Sequence, residues 1–294
     1  MFLEWQRDVI LFFQQYQNAF TEVFFRFISF LGDPPFYLML LGFFYWTYNK
    51  RAGEYLGFTL GVSVTINNIL KGVFMLERPY IAHHEVKNIR DSIPTGSSFP
   101  SGHAQSSSTL FYSIARYFNH PLAWGIAVLI MALMMVSRMF LGMHYLQDVL
   151  IGALLGILLA VGFYKLFQHY EHDQGKLHRI YLLILLILAV PGIFLTHVSD
   201  FYRRFGILVA MVVSVIVEKR FINFTTRVEF PKKVFRFITG TGITVFSLTL
   251  IGVGLESLAV ENDIIKNLFD FTHLFLGTMI GFTLFPYCFN RLNL

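Results

Sequence analysis

Apolar runs of about 17 to 25 residues, the length that crosses a bilayer as a helix, recur through most of this chain. The first 20 residues differ. They mix apolar and polar positions (Trp5, Gln6, Arg7, Asp8, then Val9 to Phe13) and predict an amphipathic helix lying at the membrane interface. A first span is expected over 23–48, interrupted by Gly32-Asp33-Pro34-Pro35, so the helix kinks there or the span begins after it. A second covers 55–76, and a polar loop over 77–100, rich in His, Ser, Pro and Gly, follows. The third helix starts near Ser101 and reaches Phe118. Its first half, His103-Ala-Gln-Ser-Ser-Ser-Thr109, is too polar to face lipid and belongs inside the bundle. Further spans are expected over 122–136, 146–167, 180–196, 201–217, 237–255 and 268–287. The pattern predicts an all-α polytopic integral membrane bundle of about nine transmembrane helices with an N-terminal interfacial helix. It divides into that helix (1–22), a core (23–170) and a C-terminal helical extension (171–294).

Composition sharpens this picture. The chain is 55% hydrophobic and 14% charged, where a soluble domain carries about 25% charged residues. The 34 phenylalanines exceed what a soluble core needs. No early segment joins a basic start, a short apolar core and a small-residue cleavage site, so no removable leader is expected. One cysteine, Cys288, gives no internal disulfide and no cysteine-based metal cluster. The net charge of +5 forms no base-reading stripe, so nucleic acid is not expected as a partner. It reflects loop topology instead. With nine spans and the N-terminus outside, the cytoplasmic loops collect Lys50, Arg51, Arg116, Lys165, Lys176, Arg179, Lys219, Arg220, Arg227, Lys232, Lys233, Arg236 and Arg291. The outer segments hold fewer: Arg7, Arg26, Lys87, Arg90, Arg203, Arg204 and Lys266.

Three strings remain that membrane topology does not explain. They are Lys71-Gly-Val-Phe-Met-Leu-Glu-Arg78-Pro79, Pro100-Ser101-Gly102-His103, and Ser137-Arg138 followed by His144 and Asp148. In the orientation above all three reach the outer face. Cleaving a phosphate ester requires charge stabilisation on the equatorial oxygens, an in-line nucleophile and a proton for the leaving oxygen. Lys71, Arg78 and Arg138 supply the cations, and an Arg fork can hold two oxygens at once. Ser101, Gly102 and His103 open a helix whose first amides favour an anion. His144 and Asp148 are one helical turn apart, so the carboxylate can take one ring nitrogen and leave the other to attack. His103 can then serve as general acid. Taken singly, each has a plainer reading: a lone Lys or Arg at a span end snorkels, and a lone His packs. The combination in this order on one face is what points to chemistry.

These strings resemble the three signatures of the type 2 phosphatidic acid phosphatase superfamily, Lys-x6-Arg-Pro, Pro-Ser-Gly-His and Ser-Arg-x5-His-x3-Asp, without departure. The resemblance covers about residues 23–167. It implies a phosphohistidine intermediate on His144, His103 as acid, Asp148 as partner of His144, and Lys71, Arg78, Ser101, Gly102 and Arg138 as phosphate ligands, with no metal and no cofactor. The expected protein is a multi-pass phosphatase of a plasma or inner membrane, with its site on the extracytoplasmic side. It would act on a lipid phosphate or diphosphate, with membrane lipids as its surroundings. Other readings are a sugar phosphatase like glucose-6-phosphatase, a transporter of phosphorylated lipids, and vanadate-dependent peroxidase chemistry, which the membrane setting opposes. Neither the exact substrate nor the oligomeric state can be read from the sequence.

Several further features have plain expectations. His83 and His84 form a solvated loop pair, and Asp270 with His273 packs inside a span. Gly53-xxx-Gly57, Gly152-xxx-Gly156 and Gly277-xxx-Gly281 mark close helix packing. Asn223-Phe-Thr225 falls in a predicted cytoplasmic loop, where a glycosylation acceptor has no meaning. Lys232, Lys233 and Arg236 form a basic run that sets topology or touches anionic lipid.

Overall fold

The computed structural model describes residues 2–90, 96–195, 199–256, 258 and 262–292. Part of the predicted 77–100 loop, residues 91–95, lies outside them. The described residues form helices and turns without a strand. In chain order the helices are α1 (Phe2–Gln14), α2 (Ala19–Phe30), α3 (Pro34–Gly42), α4 (Lys50–Phe74), α5 (Pro79–Ala82), α6 (Gly102–Phe118), α7 (Pro121–Phe140), α8 (Leu146–His169), α9 (Gln174–Phe194), α10 (Ser199–Val217), α11 (Phe230–Glu256), α12 (Asp263–Met279) and α13 (Phe285–Arg291). Short π-helical stretches follow α3, α10 and α12. Among the described residues, six helical segments are long and apolar enough to cross a membrane. Ala19–Phe30 and Pro34–Tyr48 pass the same test together, bent by 52° at the break that Gly32-Asp33-Pro34-Pro35 predicts.

The chain divides into two compact units, Met1–Phe36 with Ile66–Tyr164, and Tyr37–Thr65 with Lys165–Leu294. In the first unit α1 does more than lie on an interface. Ile10 is fully buried against Val86, Met139, Tyr145 and Val149. Gln6 accepts the Gln147 amide at 2.9 Å. Gln14 donates to the carbonyls of Lys87 and Phe140 at 2.8 and 3.0 Å. These polar positions on the inward face satisfy loop backbone that would otherwise be buried without partners.

Polar α6 is interior, as its sequence demands. Ser106, Ser107, Ser108 and Thr109 are buried. Ser106 and Thr109 bond back to the carbonyls of Gly102 and Gln105 at 2.7 and 2.9 Å. Such bonds within one helix let hydroxyls sit among apolar neighbours. Helix α8 meets α6 through Gly152 and Gly156. A Cβ on Gly152 would lie 2.6 Å from the Ser101 carbonyl oxygen, and one on Gly156 would overlap the Gln105 carbonyl. The small-residue spacing is therefore a packing seam.

In the second unit the buried carboxylates of Glu218, Glu54 and Asp270 each meet a cation. Lys50 meets Glu218 at 2.8 Å, Arg51 meets Glu54 at 2.5 Å, and Arg203 meets Asp270 at 2.8 Å. His273 lies 2.6 Å from the Leu248 carbonyl, an interior contact as expected. Arg236 departs from the basic-run expectation. It is buried, donates to the Thr225 carbonyl at 2.6 Å and lies 4.0 Å over the Phe289 ring. Ring face and carbonyl together hold a cation that the basic run offers to topology or anionic lipid.

Candidate active site

The site residues all lie in the first unit, and each is delivered by a local feature of its element. Near the end of α4, Asn67 donates to the Pro100 carbonyl at 3.3 Å and to Gln105 at 2.8 Å, which ties the start of α6 to α4. Lys71 is one turn beyond Asn67 on the same face. Its Nζ donates to the Ser97 carbonyl at 2.6 Å. Arg78 precedes a proline, which favours extended backbone, and it adopts φ −78° and ψ 151°. From there its buried guanidinium reaches the Ser97 carbonyl at 3.5 Å and the Met143 carbonyl at 3.3 Å. Lys71 and Arg78 thus converge on one carbonyl.

Arg138 lies in the last turn of α7, where a cation suits the helix dipole. It is buried and donates to Ser29 Oγ at 2.6 Å. After Phe140 the chain turns through Gly142, at φ +74°, where a Cβ would strike the Lys87 carbonyl. That turn sets His144 just before α8 with 1% of its surface exposed. His144 Nδ1 faces Asp148 Oδ2 at 3.5 Å, and Nε2 faces Arg78 Nη1 at 3.5 Å. Asp148 Oδ2 also accepts the Tyr145 amide at 2.9 Å and the Ser98 hydroxyl at 2.5 Å. Burial, and then the charges of Arg78, Arg138 and Lys71, hold the His144 imidazole well below its ordinary pKa. The ring is therefore neutral near pH 7, with Nε2 turned toward the cations.

The α6 terminus is partly used already. The Ser101 amide donates to the Asp148 carbonyl at 3.0 Å, and Ser101 Oγ caps Ala104 at 3.5 Å. The Gly102 and His103 amides remain as first-turn donors suited to an anion. A Cβ on Gly102 would sit 3.1 Å from Asn67 Oδ1 and 4.0 Å from the Lys71 side chain, so glycine keeps this approach open.

Three contributors escaped the sequence reading. Ser98 bridges Asp148 and His144, lying 3.4 Å from His144 Nδ1. Asp33 and Arg90 both engage His103, which had been given no partner. Asp33 Oδ1 lies 3.0 Å from His103 Nε2 and 2.9 Å from Arg90 Nη2. A charged Asp in the Gly-Asp-Pro-Pro break of an apolar segment was the available signal. His83 stands edge-on to the Tyr145 ring, 6.0 Å between centroids, while His84 is exposed.

Residues 53–171 match the PAP2 superfamily, and residues 202–294 match the transmembrane extension of PAP2 superfamily phosphatases. The chain belongs to the PAP2 superfamily. It is 29% identical over 171 residues to a probable sphingosine-1-phosphate phosphatase of Dictyostelium discoideum, covering 52% of this chain and 41% of that protein. It is 28% identical over 151 residues to human sphingosine-1-phosphate phosphatase 2, covering 49% and 37%. The chain thus spans about two fifths of the length of these relatives. The crystal structure of Aquifex aeolicus LpxE aligns with a TM-score of 0.48 at 24% identity, over 54% of this chain and 93% of that one.

Proposed function

We propose that this protein is a membrane phosphatase that hydrolyses a lipid phosphate through a covalent phosphohistidine on His144. The observation that carries the reading is His144 itself: a buried imidazole with Nδ1 toward Asp148 and Nε2 3.5 Å from Arg78. Lys71, Arg78, Arg138 and the Gly102 and His103 amides would hold the phosphate oxygens. His144 Nε2 attacks phosphorus, the bond from phosphorus to the ester oxygen breaks, and His103 gives that oxygen its proton. Water then attacks phosphorus, giving a proton to His103, and the bond from phosphorus to His144 Nε2 breaks. Inorganic phosphate leaves, and both histidines return to their starting states. Asp148, backed by Ser98, keeps the His144 ring oriented and offsets the positive charge it gains.

A phosphate monoester on a long-chain base is the favoured lipid class, since the relatives above are named for such an activity. A site on the extracytoplasmic face follows if the chain crosses nine times, which counts α6 and α10 as crossings beside the six long segments and the bent pair. With the N-terminus outside, nine crossings leave the larger share of Lys and Arg in cytoplasmic loops. Residues 23–170 would carry the reaction, and 171–294 would serve as the helical extension.

The test is a substrate panel on purified protein in detergent: a sphingoid base phosphate, phosphatidate, a polyprenyl diphosphate and glucose 6-phosphate, with His144→Ala as control. Phosphate release from a lipid substrate, lost in the variant, is expected. Release from glucose 6-phosphate alone would replace the lipid reading with a sugar phosphatase. Lipid movement without any hydrolysis would replace it with a transporter.

A further inference from the structure

We infer that Asp33 is a positioning residue for His103, fixing the ring of the proposed acid and opposing Arg90 in setting its proton. The inference rests on the phosphatase reading above and deepens it. Asp33 lies 70 residues before His103, in the break between α2 and α3, outside the three signature strings. Its Oδ1 is shared between His103 Nε2 at 3.0 Å and Arg90 Nη2 at 2.9 Å, and Arg90 Nη1 is itself 3.4 Å from His103 Nε2. The approach is close by construction. A Cβ on Gly32 would lie 2.6 Å from His103 Cδ2, so the glycine lets this turn press against the ring.

An acid catalyst must hold its proton until the ester bond breaks. The cations around this one work against that. Arg90 from the polar loop and Arg138 from α7 both act on His103, and His103 in turn acts on His144. Asp33 supplies the opposing negative charge. It also removes the ring's rotational freedom, which would otherwise have to be lost in the transition state.

The test compares two phosphate esters that differ in their need for an acid. Dodecyl phosphate releases a strongly basic alkoxide. Para-nitrophenyl phosphate releases a phenolate that leaves without help. Loss of a positioned acid costs on the order of 100-fold or more on a demanding leaving group. Asp33→Asn is therefore expected to lower kcat/KM for dodecyl phosphate by about 10- to 100-fold, part of that full loss, and to leave para-nitrophenyl phosphate within about threefold. Asp33→Glu should recover part of the loss. Removing the carboxylate should also shift the basic limb of the pH–rate profile to lower pH. Arg90→Gln removes a cation instead and should shift that limb to higher pH, a reading that stands even if Asp33→Asn does not fold. Equal losses on both esters, or an unmoved basic limb in Arg90→Gln, would overturn the role of Asp33 while leaving the phosphatase intact. No phosphate release from any ester by the unaltered protein would instead remove the reading beneath it.

Discussion

The main-chain amide of Ser101 donates a 3.0 Å hydrogen bond to the main-chain carbonyl of Asp148. The helix that would cradle a phosphate and the helix that carries the orienting carboxylate are thereby joined by backbone. Side-chain motion alone cannot separate them.

The seam beside that bond should tolerate no added bulk. Gly152→Val places atoms against the Ser101 carbonyl, and overpacking of this kind costs about 1–3 kcal/mol. A melting temperature several degrees lower in detergent is expected, together with reduced activity. Gly162, on the same helix, has nothing within 4 Å of a Cβ. Gly162→Ala should melt at or slightly above the unaltered protein.

Ser98 donates to a buried carboxylate, and such bonds are worth about 1.5–3 kcal/mol. Ser98→Ala should lower kcat by about 10- to 100-fold, because the His144–Asp148 pair loses its bridge. KM should stay within about threefold, since the Ser98 hydroxyl is engaged by Asp148 and His144. Steady-state kinetics on one lipid substrate separates the two parameters.

Acid should destabilise the fold partly through His144. Its pKa is held below the ordinary value in the folded protein. As pH falls below about 6.5, the unfolded chain takes up a proton that the folded ring refuses. The contribution is present above that pH and lost beneath it. Melting temperatures between pH 7.5 and pH 5.5 should fall further for the unaltered protein than for His144→Asn. Parallel falls would contradict this.

Chelators should leave phosphate release unchanged. In the proposed site the positive charge meeting the substrate would come from Lys71, Arg78 and Arg138. Among the described residues no three His, Cys, Asp or Glu side chains gather as a metal site. Activity assayed with and without EDTA checks this, and strong inhibition would point to a different charge donor.

Arg138→Lys should behave as a loss, although the charge is kept. A point charge cannot bind Ser29 and two phosphate oxygens with one planar fork. A rise in KM and a fall in kcat, together at least tenfold in kcat/KM, are expected (about 1.4 kcal/mol).

Much of this was legible along the chain. The helices follow from apolar run lengths, the α2–α3 break from Gly-Asp-Pro-Pro, and the interior place of α6 from its hydroxyls. His144 and Asp148 face each other as their four-residue spacing predicts, although His144 stands two residues before α8. The inward face of α1 was harder to read, because Gln6 and Gln14 resemble solvent-facing positions until the loop backbone they satisfy is known. Arg236 was misread for a related reason: a cation in a basic run is assigned to topology or anionic lipid unless an aromatic face and a carbonyl are seen to hold it.

The sequence by itself determined which residue types could do chemistry and which elements bear them, since run length, helical spacing and proline or glycine breaks act within a few residues of each other. Only the tertiary structure decided that Ser98 stands behind a carboxylate 50 positions away, and that Asp33 and Arg90 flank His103. Those contacts depend on how whole helices pack and where loops return, and a hydrogen bond a few ångströms long leaves no period in the chain that makes it.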